Sequence, residues 1–266
     1  MDVKTRMQEH YEIAKEIVDE KLIVGIFYYG SGNYNMADEN SDVDTRVLVV
    51  PSLADVVCAR RPVSFEHHCE NGEHINFVDV REFVHQLLKQ NPNSLEILFT
   101  DHFIITPPFN GVWYYIWSHR EDFARINPHK AVNTMRHMAN ANYHQMKKNG
   151  FDHKKLATMF RLEKGIQDYI IHCRYEYVLK SDQGEFFLSV KRGNFVESNE
   201  QGMRLAQDSF ETVNSLIDRY TSRVPDVDNE KVKEKLMRAL ADLVCMHLDY
   251  EIKAREEKEE EENEWY

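Results

Sequence analysis

Two carboxylates two residues apart, Asp42 and Asp44, stand at the head of the run "TRVLVV". In an extended chain, residues i and i+2 share a face, so both acids point the same way. Two carboxylates side by side repel unless a cation sits between them. A hard dication takes carboxylate oxygens together with water and phosphate oxygens, and a two-metal phosphoryl-transfer site uses such a pair. Gly30-Ser31-Gly32 precedes the aspartates, directly after "LIVGIFYY". Glycine there lets backbone N–H groups approach phosphate oxygens, and a serine hydroxyl adds a donor. Alone, the Asp-x-Asp reads as a polar turn entering a strand, and Gly-Ser as a tight turn. A strand, a Gly-Ser turn, a gap and an Asp-x-Asp opening the next strand form a more specific combined pattern.

The elements that must position these residues are legible nearby. Val3 to Glu20 has helical spacing at Ile13, Ile17 and Val18. Leu22 to Tyr29 reads as a strand, and "TRVLVV" as a second strand stopped by Pro51. "SLADVVCAR" fits a short helix capped by Ser52. "VSFEHH" and "EHINFVDV" read as strands around an Asn71-Gly72 hairpin turn. "REFVHQLLKQ" and, after Pro92, "NPNSLEILF" return to helix.

From about Gly111 helical patterns take over, at His129–Lys148, His153–Leu179, Gly202–Arg219 and Asn229–Lys258, with "SDQGEFFLSVKRGNF" as a non-helical interruption. The expected class is α+β: a mixed sheet with helices, then an all-helical C-terminal half. The expected division is 1–107, 108–250 and an acidic tail over 251–266, read as a fraying helix end.

Composition narrows the partners. The net charge is −12 and 42% of the 266 residues are hydrophobic, enough for a core. That charge argues against nonspecific gripping of long nucleic acid, which needs a basic face. Residues 251–266 hold eight glutamates against two lysines and one arginine, so the body is only mildly acidic. No apolar run approaches eighteen residues, so no membrane span is expected. The polar start and four scattered cysteines read as a reducing, cytoplasmic setting.

The stretch from Gly30 to Asp44 resembles the signature of the DNA polymerase β-like nucleotidyltransferases. "REFVHQLLKQNPNSLEILF" and, more loosely, "KKLATMFRLEKGIQDY" with "SVKRGNF" resemble one subgroup, predicted nucleotidyltransferases of bacteria and phages, some associated with RNA ligases. The resemblance covers roughly residues 22 to 195. It implies that Gly30 and Ser31 hold the triphosphate of an NTP. It implies that Asp42 and Asp44 bind Mg²⁺, with Mn²⁺ as the alternative ion. A nucleoside monophosphate would pass to an acceptor hydroxyl, an RNA end among the options. The competing expectation is a catalytically weak member that binds nucleotide, RNA or a protein partner.

The resemblance also calls for a third carboxylate on a neighbouring strand. Glu73 is favoured, Asp79 next and Glu66 third, while Asn76 is a weaker ligand. Each also reads as an exposed strand-end acid. Lys154 and Arg161, seven apart on one helix face, are the expected phosphate contacts, with Lys191 and Arg192 a second basic pair. A solvated helix face is the alternative. Arg46 shares the strand face of Asp44 and could pair with it. In "NPNSLE", Asn93 and Glu96 fit a capping box; alternatively Asn91, Asn93 and Glu96 border the nucleotide cleft. His67, His68, Cys69 and His74 match no common zinc spacing, and a hairpin explains them better. Tyr28, Tyr29 and Tyr34 are candidates for base stacking.

Overall fold

The computed structural model describes residues 2–37, 41–179 and 183–263. Helix α1 (Val3–Ile17) opens at Asp2, whose carboxylate accepts the Lys4 N–H. Strand β1 (Ile23–Tyr29) and strand β2 (Asp44–Val49) flank the Gly-Ser turn. A short helix, α2 (Leu53–Val57), follows, closed by a reciprocal Ser52–Asp55 capping box. The hairpin β3 (Ser64–His68) and β4 (His74–Asp79) turns at Asn71-Gly72, and α3 (Val80–Leu88) begins at once. Then come α4 (Pro92–Leu95), β5 (Phe103–Ile105), α5 (Asn110–Ser118) and α6 (Arg120–Phe123). The remaining helices are α7 (Pro128–Asn149), α8 (His153–His172), α9 (Glu176–Leu179), α10 (Gly184–Lys191), α11 (Asn199–Thr221) and α12 (Glu230–Asn263).

The five strands form one mixed sheet in the order β3-β4-β2-β1-β5. β1 runs antiparallel to β2 and β5, β2 is parallel to β4, and β3 is antiparallel to β4. Side-chain alternation divides the sheet into two faces. Val47, Ile75, Phe77 and Ile26 pack against Met7, Tyr11 and Ala14 of α1. Val24, Phe27, Leu48 and Val78 face the other way, into a core shared with Trp113, Ile166 and Leu240 from the helices. Phe27 and Trp113 meet at 4.4 Å between ring centroids. Truncating Phe27, fully buried, would cost about 3–5 kcal/mol.

Two expectations are corrected. "SDQGEFFLSVKRGNF" is not an interruption, because Gly184–Lys191 is helical, with Phe187 and Val190 buried. The helix expected over His153–Leu179 breaks at Cys173, whose φ of 56° is left-handed, giving α8 and α9. The edge strand β5 is too short to show alternation, yet it completes the sheet beside β1. Among the described residues no helix is long and apolar enough to cross a membrane.

Candidate functional site

Strand β1 ends at Tyr29 and the chain turns through Gly30, at φ 94° and ψ −150°, a conformation that side chains with a Cβ rarely adopt. Ser31–Tyr34 then form a single 3₁₀ turn. Glu96 holds this turn from below. Its Oε1 accepts the Gly30 N–H at 2.8 Å, and its other oxygen accepts the Tyr34 hydroxyl. Glu96 is 2% exposed. Burial pushes its pKa up, against the Tyr34 and Gly30 donors and the Arg161 and Arg46 charges. Thr100 supports the turn through Asn33, whose amide also donates to the Tyr28 carbonyl.

This corrects the reading of "NPNSLE". The helix cap is Asn91, whose side chain accepts the Asn93 N–H, not Asn93. Glu96 makes no capping box but reaches across to the Gly-Ser turn. Asn93 lies in the cavity wall described below and, through its carbonyl, accepts Arg46 at 2.8 Å. Arg46 also lies 4.8 Å from the Tyr29 ring centroid, so it is spent on that contact rather than paired with Asp44.

Asp44 pairs in register with Tyr29 at the end of β1. A carbon at the Gly30 Cβ position would lie 3.8 Å from Asp44 Oδ2, so the acid and the turn are neighbours. Asp42 is exposed and Asp44 half-buried, with buried Val43 between them facing α1. Burial raises the Asp44 pKa most, and the Asp42 charge adds to this. His74 and Lys154 pull it down. Among the described residues no lysine or arginine forms an ion pair with either aspartate. Two oxygen donors that repel each other and lack a basic partner fit a hard dication. The resident group implied by the resemblance is therefore compatible with these residues.

A cavity of about 200 Å³ opens beside the turn. Its wall includes Gly30 and Ser31 from the sheet half, Asn93 from α4, Lys154 and Arg161 from α8, and Lys191 from α10. The Ser31 hydroxyl makes no hydrogen bond to another described residue. Arg161 lies over the Tyr34 ring, 3.7 Å from its centroid. Lys191 donates to the Met36 carbonyl at 3.3 Å. Helix α10 reaches this position because Gly184 packs on Asn35; a Cβ there would stand 2.5 Å from the Asn35 Cβ. Asp42 and Asp44 are not in the wall; Asp44 stands at its rim, beyond Gly30. Arg192 is exposed and outside it.

The candidate third acids separate by face. Glu73 shares the α1 face with Ile75 and Phe77, opposite to Asp44. Its Oε2 accepts Arg6 Nε at 2.9 Å, Asn71 at 2.7 Å and meets His10 at 3.1 Å, while Oε1 accepts the Val43 N–H at 3.2 Å. Burial alone would raise its pKa, but the Arg6, Asn71 and Val43 donors hold it at about 2. His10, buried, also bonds Thr45 at 2.9 Å, and burial depresses its pKa against the pull of Glu73. Asp79 is 2% exposed, caps α3 and binds Arg81 at 2.6 Å. Both acids are engaged on the α1 side of the sheet, Glu73 against the backbone between the aspartates and Asp79 at the far end of β4. On the Asp44 face, β4 offers His74 and Asn76, and β3 offers Glu66, which bonds His74 at 3.1 Å.

Known proteins add little. No family model matches the chain, and no curated protein matches it. Among solved structures it is similar to a nucleotidyltransferase-like protein from Exiguobacterium sibiricum. The identity is 12% and the TM-score 0.32, over 94% of this chain and 91% of that one. A superposition that loose does not by itself assign a fold or an activity.

The tyrosines suggested for base stacking are taken. Tyr34 is buried under Arg161, Tyr28 is 5% exposed, and Tyr29 is packed on Arg46 with burial raising its pKa to about 12. The roles of Glu96 and Tyr34 as braces had no local signal, because their partners lie more than sixty residues apart.

Proposed function

We propose that the chain is a Mg²⁺-dependent nucleotidyltransferase acting on an NTP and an acceptor hydroxyl. The supporting observation is the shared cavity: Gly30 and Ser31 face Lys154, Arg161 and Lys191 across about 200 Å³, with Asp44 at the rim. The resemblance of the Gly30–Asp44 stretch gives this constellation its chemistry.

In this reading the triphosphate enters the cavity. The Ser31 hydroxyl donates to a phosphate oxygen, and Lys154, Arg161 and Lys191 neutralise its charge. The cavity is smaller than the roughly 300–1,000 Å³ of ordinary ligand sites, so the nucleoside lies outside it. Glu96 keeps the Gly30 turn in position, which spares the enzyme an ordering cost on binding. Asp42 and Asp44 would hold Mg²⁺, which would supply charge neutralisation at the α-phosphate and lower the pKa of an acceptor hydroxyl. The acceptor oxygen forms a bond to the α-phosphorus, the bond from that phosphorus to the bridging oxygen breaks, and pyrophosphate leaves. The hydroxyl proton goes to solvent. An RNA end is the acceptor class to test first.

The second reading, a binding protein with weak or no transfer, draws on the third acid. Glu73 and Asp79 face away from Asp44, and Glu66 is engaged by His74. Incubation with α-labelled NTPs, Mg²⁺ or Mn²⁺ and fractionated cell extract separates the two. Label on an acceptor supports transfer; binding of NTP without pyrophosphate release across the fractions supports the second reading.

A further inference from the structure

Glu66, His68 and His74 meet on the free edge of the sheet. The β3–β4 register sets His68 opposite His74 and Glu66 opposite Asn76, so all three side chains share one face. One ligating atom from each lies within 4.8 Å of the others, the only such group of three among the described residues. Glu66 Oε1 is 3.1 Å from His74 Nδ1, and Oε2 is 3.8 Å from His68 Nε2. The two imidazoles sit 4.6 Å apart at 73°. One carboxylate thus bridges two rings.

The scaffold under these groups is firm. The hairpin closes through Cys69 N–H to Glu73 carbonyl at 2.9 Å. On the opposite face Phe65 stacks on Phe77 at 4.6 Å and 7°, which pins the register. The zinc ligands considered from sequence are divided by the same alternation. His68 and His74 lie on this face, whereas Cys69 packs toward α1, 3.9 Å from His10.

Two nitrogens and one oxygen are the donor set of a borderline metal ion, not of Mg²⁺. Tetrahedral Zn²⁺ with ligands at about 2.1 Å sets donors about 3.4 Å apart. Glu66 and His68 are exposed and His74 half-buried, which leaves their side chains room to rotate toward that spacing. We propose that Glu66, His68 and His74 form a site for a borderline transition-metal dication, Zn²⁺ first, separate from the Asp42–Asp44 pair and with a fourth position open. Asp44, on the same face, and Asp42 add a negative field at His74 that favours a dication. Zinc binding here is independent of whether nucleotide is transferred.

Metal-free full-length protein titrated with Zn²⁺ against a chromophoric chelator, in excess Mg²⁺, tests this. One Zn²⁺ should bind per chain. The His68→Ala/His74→Ala variant should bind at least about 100-fold more weakly, since even supporting residues of metal sites are worth 10–100-fold. Asp42→Asn/Asp44→Asn should change Zn²⁺ affinity less than tenfold. His68→Gln, whose side chain is 66% exposed, serves if the double variant folds poorly. No Zn²⁺ uptake, displacement by Mg²⁺, or unchanged affinity in the histidine variants would overturn the site.

Discussion

The backbone N–H of Gly30 donates to Oε1 of Glu96 at 2.8 Å, across sixty-six positions of sequence. This bond ties the turn at the end of β1 to the α4 segment, and the Tyr34 hydroxyl occupies the other oxygen. Removing the carboxylate leaves one buried and one half-buried donor unmet. Glu96→Ala should lower stability by about 2–3 kcal/mol and weaken NTP binding, read by urea denaturation and by calorimetric titration. Glu96 has a raised folded pKa, so its contribution is fully present below the usual glutamate range and falls as pH rises through the folded value. Glu96→Gln should therefore flatten stability against pH above that range.

Asp44 is half-buried beside a like charge, which raises its pKa. Asp44→Asn should reduce nucleotidyl transfer at least about 100-fold, the scale of one lost preorganised electrostatic contact. The same change removes a strained charge. The metal-free variant should melt about 1–3 °C above the parent. An unchanged rate, or a lower melting temperature, would contradict this account of Asp44.

Lys154 and Arg161 line the cavity from α8. Each change to alanine should weaken Mg²⁺–NTP binding about tenfold, or about 1.4 kcal/mol. Arg161→Lys should recover only part of this, because lysine loses the planar contact with Tyr34. Filter binding with labelled NTP provides the measurement.

Gly184 allows α10 to close on Asn35. Gly184→Val places a branched side chain where a Cβ alone would be 2.5 Å from the Asn35 Cβ. It should cost about 1–3 kcal/mol and raise the KM for NTP, because Lys191 rides on the same helix.

Glu73 contributes on the far side of the sheet. Its folded pKa of about 2 lies below the ordinary value of 4.5, so its stabilisation is present above pH 4.5 and lost as pH falls toward 2. His10 has a depressed pKa, so stability also drops as pH falls below 6.5. Glu73→Gln should cost about 2–3 kcal/mol at pH 7, and the gap from the parent should close near pH 2–3. Denaturation midpoints from pH 2.5 to 7 decide it.

Several parts of this arrangement were readable in the chain. Glycine and serine after a β-branched run, and Asp-x-Asp before the next, gave the turn and the start of β2. The seven-residue spacing of Lys154 and Arg161 put both on one face of α8, where they meet the same cavity. The sheet face of the favoured third acid follows from alternation. Glu73 alternates with Ile75 and Phe77, so period two assigns it to the apolar, buried face. Of the two readings of Glu96, the cleft border holds and the capping box does not, because a local cap and a distant brace use the same residue type. Helix α10 has no side-chain cap, and its position depends on Gly184 meeting Asn35, a tertiary contact with no local mark.

The central claim is that the Gly30–Ser31 turn, the bases of α8 and α10 and the aspartates work on one NTP. Transfer of label from α-labelled NTP to an acceptor in cell extract, compared between the parent and Asp42→Asn/Asp44→Asn, tests it most directly. The parent should label one class of acceptor with release of pyrophosphate, and the variant should not. Equal labelling by both proteins, or no labelling by the parent with any NTP in Mg²⁺ or Mn²⁺, would contradict it.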